Sequence, residues 1–279
     1  MANTNIAHTG TGYTWSTNTS ATSNNNRVAT PGVNDNDINH NVDVQPKCDS
    51  VNSLEATGVV FRSTSGDHTP GQVLAGVRAK MTSSTQVNSQ PHLNSETGQS
   101  GINVYQVADG FFAFTSSMAI DTDGSDPDPD PDHQDQTTFQ DQNGDQLGAH
   151  HVPFYVLGDV CPDRQSPCQW FDYREHNIKG LQFGLIFYHG QCIGALFGDT
   201  VGSPDNPRKL GEASVKSAQL LGIPSSGTTG GVDNGVTYVV FSGSEWVIHG
   251  TNASLNDKAQ TLVQSALNAL GGQLGPSRE

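Results

Sequence analysis

Asp199 and Glu212 are two carboxylates whose surroundings could bring them together. Asp199 follows the apolar run GALF, which predicts a strand, and Glu212 opens the helical pattern EASVKSAQLL at 212–221. A strand end and a helix start can place two acids on opposite sides of a cleft. Hydrolysis of a glycosidic bond needs two such groups, one acid for the leaving oxygen and one base or nucleophile. The pair is a weak signal by itself, because the helix dipole favours acids in the first turn of any helix.

A run of aspartates, DTDGSDPDPDPD at 121–132, is the second candidate site. Its three prolines keep the chain extended, and we expect the Asp-Pro part to lead away from the preceding strand. Three interpretations stay open: a solvated acidic loop, a calcium site, and an acidic wall for a positively charged substrate. A calcium loop of the EF-hand type needs Glu at its twelfth position, where counting from Asp121 gives Asp132. Because a strand leads into Asp121 and Asp123, we expect these two side chains to be aimed into a cleft.

Charge and motif content exclude several classes of function. The 279-residue chain has 13 Lys and Arg against 28 Asp and Glu, a net charge of −15, so we expect no nucleic-acid or anionic-lipid partner. No apolar run approaches the ~18 residues that span a membrane. The phosphate-binding P-loop, the dinucleotide fingerprint, the nucleophile elbow and HExxH are all missing. The ten histidines show no metal-ligand spacing, and we expect no cofactor.

The four cysteines and the N-terminus bear on cellular location. Cys48, Cys161, Cys168 and Cys192 are either buried thiols or one or two disulfides of an exported protein. Met1 is followed by polar residues, so this numbering shows no signal peptide. We expect a secreted monomer whose signal sequence has been removed.

The remaining pattern predicts a mainly β, single-domain protein. Residues 1–46 are rich in Asn, Thr and Ser and form a flexible or wrapping arm, 47–272 form the catalytic domain, and 273–279 are a tail. Short apolar runs between Gly, Pro, Asn and Asp predict strands at 58–62, 103–107, 111–115, 152–157, 183–188, 192–197 and 236–241. YHGQ at 188–191 predicts a hairpin turn. Helices are expected at 212–221 and at 255–270, the second capped by Ser254 and ended by Gly271–Gly272. We expect a β-barrel-like core, with the double-psi arrangement as the candidate, a short inserted helix and a C-terminal helix.

Several separated blocks together resemble the chitosanases of glycoside hydrolase family 75, known mainly from fungi. The blocks are DGFFAFTSSMAIDTDGS (109–125), VPFYV (152–156), ALFGDTVG and KLGEASVKSAQLLGI (within 195–223), and GVTYVVFSGS (235–244). In that family a strand ends in Met-x-Ile-Asp-x-Asp-Gly, and Gly-Asp is followed by Gly-Glu-x-Ser. The resemblance implies endo-hydrolysis of the β-1,4 bonds of chitosan with inversion, and it places the two catalytic carboxylates on Asp199 and Glu212.

The resemblance agrees with the charge pattern, because chitosan is a polymer of glucosamine whose amines are cationic in mild acid. We expect Asp121 and Asp123 to contact substrate amines, and Tyr155 either to stack on a sugar or to pack in the core. The higher intrinsic pKa of Glu favours Glu212 as the acid, whereas a position at a helix N-terminus favours the reverse. Two other functions stay open: a non-catalytic polysaccharide-binding module of the same fold, and a hydrolase of another amino-sugar polymer.

Overall fold

The computed structural model describes residues 66–159, 161, 166–201 and 208–275. The predicted arm, the predicted strand 58–62 and Cys48 lie outside these ranges. The helices in the described part are α1 (Pro70–Met81), α2 (Val215–Leu220) and α3 (Asn252–Leu274). The strands are β1 (Thr85–Gln86), β2 (His92–Asn94), β3 (Ser100–Ile102), β4 (Tyr105–Ala108), β5 (Phe111–Asp121), β6 (Phe154–Gly158), β7 (Phe183–Tyr188), β8 (Gln191–Val201), β9 (Lys209–Leu210), β10 (Glu212–Ser214) and β11 (Val232–Phe241). None of these helices is long and apolar enough to cross a membrane.

Six strands close into a barrel in the order β5–β10–β6–β8–β7–β11, and β11 pairs back onto β5. Strand β10 is parallel to β5, and β6 is parallel to β8, whereas the other barrel pairs are antiparallel. Strands β1 and β4 extend the sheet beyond β5, and β3, β2 and β9 form a small second sheet. The predicted mainly β, single-domain barrel with a short helix and a C-terminal helix is confirmed. The double-psi arrangement stays a prediction.

The hairpin between β7 and β8 shows how the sequence sets the register. Tyr188 pairs with Gln191, and the two residues between them have positive φ angles, 44° at His189 and 82° at Gly190. A two-residue turn of this kind matches the twist of the flanking strands. The predicted turn at YHGQ is therefore confirmed.

Alternate residues along the barrel strands enter two separate apolar clusters. One cluster fills the barrel and takes residues from all six strands, including Phe114, Tyr155, Phe197, Ala213 and Tyr238. The other cluster lies on the outer face, where residues of the strands pack against α1 and α3. This alternation determines which side chains point out of the barrel wall.

The long helix α3 completes the edge of β8 with a buried side chain. Strand β6 pairs with β8 from Leu196 onward, so Gly194 lies beyond that pairing. The fully buried amide of Gln260 donates from Nε2 to the Gly194 carbonyl at 2.8 Å, and its Oε1 accepts from the Gly194 N–H at 3.1 Å. The Gln260 side chain thus supplies Gly194 with the two backbone hydrogen bonds that a neighbouring strand supplies elsewhere in the sheet.

The structure corrects the predicted helix boundaries. The C-terminal helix starts after Thr251, which forms a capping box in which Ser254 is the third helical residue, and it runs past the predicted stop to Leu274. Packing of Leu274 beside Gly76 of α1 holds that last turn in place. The predicted tail boundary at 273 therefore lies inside the helix.

Two further corrections concern helix starts. Residues 212–214 form strand β10 rather than a first helical turn, because they pair with β5, and the helix begins only after Ser214. Helix α1 was not predicted, although Thr69, Pro70 and Gln72 carry a capping-box signal with Pro at the first helical position.

We expect Gln260→Leu to lower the free energy of unfolding by about 2–4 kcal/mol, since it leaves a buried N–H and a buried carbonyl unpaired. Urea unfolding followed by tryptophan fluorescence measures this loss. Gln273→Leu, the same change at an exposed position of α3, should stay within about 0.5 kcal/mol of the parent chain. Equal losses in both variants would contradict the role assigned to Gln260.

Candidate active site

Asp199 and Glu212 lie in one row across three neighbouring strands. Ala213 of β10 is opposite Tyr155 of β6, and continuing this antiparallel register puts Glu212 opposite Val156. Val156 in turn pairs with Asp199 of β8. Neighbouring strands are ~4.8 Å apart, so the Cα atoms of the two acids are separated by about 10 Å.

A bulge in β8 turns Asp199 onto the face that Glu212 occupies. Tyr155 pairs with Phe197, but the next residue of β6, Val156, pairs with Asp199, so Gly198 is an extra residue in β8. In a regular strand Gly198 would pair with Val156, and alternation would then place Asp199 on the same side as Phe197, inside the barrel. A Cβ atom at Gly198 would lie 2.6 Å from Cβ of Phe154, which explains why glycine occupies the bulge.

The backbone before Glu212 is held by two serines of β5. Ser116 Oγ donates to the Leu210 carbonyl at 2.8 Å, and Ser117 Oγ donates to the Gly211 carbonyl at 2.9 Å. Gly211 has a φ of 100°, and a Cβ there would lie 2.2 Å from Ser116 Oγ. The Gly-Glu pair of the sequence is thus a constrained entry into β10 that determines the position of Glu212.

One oxygen of Asp199 receives three hydrogen bonds. Oδ1 accepts from the Thr138 N–H at 2.9 Å, from Thr138 Oγ1 at 2.5 Å and from the Thr200 N–H at 2.6 Å. The side chain is buried, and burial raises the pKa of Asp199, while these hydrogen bonds offset part of that shift.

Asp121 and Asp123 reach the same site from the end of β5. Asp121 is opposite Ser214 in β10 and is 5% exposed, and its Oδ1 accepts the N–H of Asp123 at 2.8 Å. Asp123 is partly exposed, and its Oδ1 accepts the N–H of Gln134 at 2.7 Å. Within the described residues, Asp121, Asp123 and Asp199 are the one group of three ligand-type side chains whose oxygens lie within 4.8 Å of one another. Three carboxylate oxygens at this spacing suit a cation, either an ammonium group or a metal ion.

Burial and crowding of acids perturb the titration of the site. Burial, then the charge of Asp199, raises the pKa of Glu212 to about 7, against the opposing effect of Lys209. Burial also raises the pKa of Asp123 to about 6. The pKa of Asp121 is raised well above its usual range by burial and then by Glu212 and Asp199. The site therefore holds protons at a pH where ordinary carboxyls have lost them.

The Asp-Pro run does not lead away from the site, contrary to the sequence-based prediction. Asp126 accepts the N–H of His150 at 2.8 Å and lies 2.8 Å from Nδ1 of His151. Asp128 lies 2.7 Å from Nε2 of His150. These two carboxylates hold the run against residues 150–151.

Tyr155 is not a substrate-stacking residue, and this prediction is wrong. Its ring is 1% exposed inside the barrel, where it stacks against Phe197, and its hydroxyl donates to the Gln182 carbonyl at 3.0 Å. The core-packing alternative is correct, because its position in β6 points the ring into the barrel.

Sequence reasoning missed Thr138, Glu96 and Lys209. Thr138 lies in a polar loop, 61 residues before the acid that it contacts, so no local pattern marks it. Glu96 and Lys209 come from the small second sheet, and both affect the pKa of Glu212. Of these three residues, Lys209 could most easily have been found from the sequence, because it stands three residues before Glu212.

A pocket of about 300 Å³ lies beside the turn that carries Glu96, between the small second sheet and residues 233–234. The Glu96 N–H donates to Asn94 Oδ1, and Asn94 Nδ2 donates to the Asp233 carbonyl at 2.9 Å. The pocket is lined by polar and small residues: Asn94, Thr97, Gln99, Ser100, Gly101, Ile102, Asp233 and Asn234. Amides, hydroxyls and one carboxylate are groups that hydrogen-bond sugars.

A family model described as the fungal chitosanase of glycosyl hydrolase group 75 matches residues 118–276. The chain belongs to this family. The match spans Asp121, Asp123, Asp199 and Glu212, and it starts inside β5, whose end carries the first two. No curated protein matches the chain. Membership in this family supports a glycoside hydrolase.

One disulfide is present in the described part of the chain. Cys161 and Cys168 are bonded, which confirms the disulfide interpretation for two of the four cysteines. Cys192 is buried on β8. The loop between the bonded cysteines contains residues outside the described ranges.

We expect the free energy of unfolding to fall by about 1 kcal/mol between pH 6.5 and pH 8. Glu212 has a folded pKa of about 7, above its ordinary value of 4.5, so the folded state holds a proton that the unfolded state has lost. The stability that comes from this proton is lost as the pH rises through 7, and Asp121 acts in the same direction. Buried His92, whose pKa is lowered to about 4, acts in the opposite direction and offsets part of this fall, because its unfolded form is still half protonated at pH 6.5. His176, whose pKa is also lowered by burial, acts in the same direction as His92. Urea unfolding at the two pH values measures the difference.

Glu212→Gln should flatten this pH dependence, whereas Glu245→Gln, which changes an exposed carboxylate, should leave it intact. Stability that rises from pH 6.5 to pH 8 in the parent chain would show that Glu212 is ionised throughout.

Proposed function

We propose that the protein is an endo-acting chitosanase that hydrolyses the β-1,4 bonds of chitosan with inversion, and that Asp199 and Glu212 are its acid/base pair. The observation that carries this proposal is the row Glu212–Val156–Asp199, with both acids on one face of the barrel wall. A Cα separation of about 10 Å is compatible with carboxyls ~6.5–9.5 Å apart, the range that leaves room for a water in inverting enzymes. The configuration of the first product distinguishes this arrangement from a retaining pair, whose carboxyls are only ~5 Å apart.

The electrostatics support Glu212 as the acid and Asp199 as the base. With a pKa of about 7, Glu212 carries its proton in mild acid and can deliver it to the glycosidic oxygen. Asp199 accepts three hydrogen bonds, which stabilise its anion and suit a carboxylate that activates water. The objection that a helix N-terminus would keep Glu212 ionised no longer applies, because Glu212 lies in a strand.

Asp121 and Asp123 are proposed to hold the ammonium group of a glucosamine unit. Their oxygens lie close to that of Asp199, and Asp123 is the more accessible of the two. A cationic group would relieve the repulsion that raises both pKa values. This contact would favour glucosamine over its N-acetylated form, whose amide is neutral.

The neighbouring pocket and the disulfide agree with a polymeric substrate and an extracellular location. The pocket at Asn94 and Asp233 adds room for further sugar units of a polymer. The Cys161–Cys168 disulfide favours an oxidising location, and we propose a secreted monomer.

The wild-type protein should release reducing ends from soluble chitosan and much less from chitin. Asp199→Asn and Glu212→Gln should each fold, and each should lower kcat by about 10²–10⁴, because each removes a proton-transfer group without changing side-chain volume. A reducing-sugar assay at several degrees of acetylation measures this, with circular dichroism to verify folding.

Glu245→Gln and Asp257→Asn, two charge-matched changes at exposed positions, serve as controls and should keep full activity. Binding of chitosan without any release of reducing ends would identify a non-catalytic module. Faster cleavage of another amino-sugar polymer would assign the site to that polymer.

The first product formed should have the inverted, α anomeric configuration. A single displacement by water from the face opposite the leaving group requires it. Proton NMR of a short chitosan oligomer during the first minutes of reaction distinguishes the two anomers. A β product would show that the second carboxylate acts as a nucleophile and that the reaction is a double displacement.

A further inference from the structure

All hydrogen bonds that described residues make to the Asp199 carboxylate converge on Oδ1. Thr138 supplies two of them, from its backbone N–H and its hydroxyl, and Thr200 supplies the third. Because Oδ1 receives every donor that the described residues supply, the two oxygens of the carboxylate are inequivalent with respect to these residues. Oδ1 is the anchored atom, and Oδ2 is the atom available to take a proton.

Anchors on both sides hold the backbone of Thr138. On one side, the buried Thr137 donates from Oγ1 to the Phe139 carbonyl, and its N–H donates to Gln146 at 2.9 Å. On the other side, the Phe139 ring packs edge-on against Phe197 with centroids 4.8 Å apart. The position of residue 138 therefore does not depend on its own side chain, which faces the cleft and is exposed.

The Thr138 hydroxyl is itself oriented by a second threonine. The Thr200 N–H donates to Thr138 Oγ1 at 3.2 Å, and the two hydroxyl oxygens are 2.8 Å apart. A hydroxyl that accepts from Thr200 has its own proton free to donate to Asp199. The two threonines thus form a short chain of donors that ends on Oδ1.

The acids that face Asp199 make such donors necessary. Asp121 and Asp123 approach from the end of β5, Glu212 from β10, and Asp159 from the segment after β6, and each interacts repulsively with Asp199. Lys209 acts on Glu212 from the small sheet. Without donors, repulsion and burial would both favour protonation of Asp199.

We propose that Thr138 is a positioning residue that selects Oδ2 of Asp199 as the working oxygen and keeps the carboxylate ionised. This inference rests on the proposed role of Asp199 as the base. The loop that follows the Asp-Pro run carries Thr138 and so supplies two of the donors that orient the base.

The test compares Thr138→Val with Thr138→Ser. Valine keeps the shape and the backbone N–H but removes the hydroxyl, whereas serine keeps the hydroxyl. We expect Thr138→Val to lower kcat on chitosan by about ten- to hundredfold, the range of a hydrogen bond to a charged group, with KM essentially unchanged. The acidic limb of the pH profile of kcat/KM should move to higher pH, because loss of a donor raises the pKa of the base. Thr138→Ser should restore both properties.

A spectroscopic readout separates this inference from the proposed function. Carbon-13 NMR titration of the Asp199 carboxyl needs no substrate, and Thr138→Val should raise its pKa relative to the parent chain. Thr261→Val, at an exposed position of α3, is the matched control and should change neither activity nor titration.

Three results would overturn the inference. The first is an unchanged titration and pH profile in Thr138→Val, and the second is an equal loss in the serine and valine variants, which would indicate a role of the methyl group. The third is a change confined to KM, which would indicate direct contact with substrate. By contrast, an active Asp199→Asn variant would refute the proposed function, whatever the threonine variants show.

Discussion

The pairing of the three-residue strand β10 between β5 and β6 is the constraint on which the rest of the molecule depends. It closes the barrel, because β10 is the link between two longer strands. It also positions Glu212, which has Ala119 of β5 on one side and Val156 of β6 on the other. Closure of the fold and placement of one candidate catalytic carboxylate are thus a single structural event.

The same geometry crowds four acids together, which lowers stability but is needed for the candidate acid/base chemistry. Asp121, Asp123, Asp199 and Glu212 come together in a partly buried space, where Asp123, Asp199 and Glu212 each raise the pKa of at least one of the others. Such crowding costs stability at neutral pH, because a protonated or cation-bound site is favoured over four bare charges. A site that resists ionisation is also one that can keep an acid protonated and attract an amine. Stability and function therefore place opposite demands on these four side chains.

Much of the fold and part of the site follow from local patterns. Alternation and turn chemistry predicted five of the six barrel strands and the hairpin at 188–191, because the alternation of apolar residues is visible in the sequence of each of these strands. The candidate acids Asp121, Asp123, Asp199 and Glu212 were all named, and the structure brings all four together. Helix starts were predicted less well, because Glu212 satisfies a helical pattern locally while its backbone pairs with a distant strand.

The sequence by itself determined which residues can form a mainly β barrel and which residue types are available for acid/base chemistry. Only the tertiary structure decided where those side chains point. The bulge at Gly198 turns Asp199 onto the face of Glu212, and Gly198 lies so close to Phe154, 44 residues earlier, that a side chain would not fit there. Tyr155 enters the core for the same reason, since its orientation depends on barrel closure. Contacts between residues far apart in the chain set the register, and no local propensity contains that information.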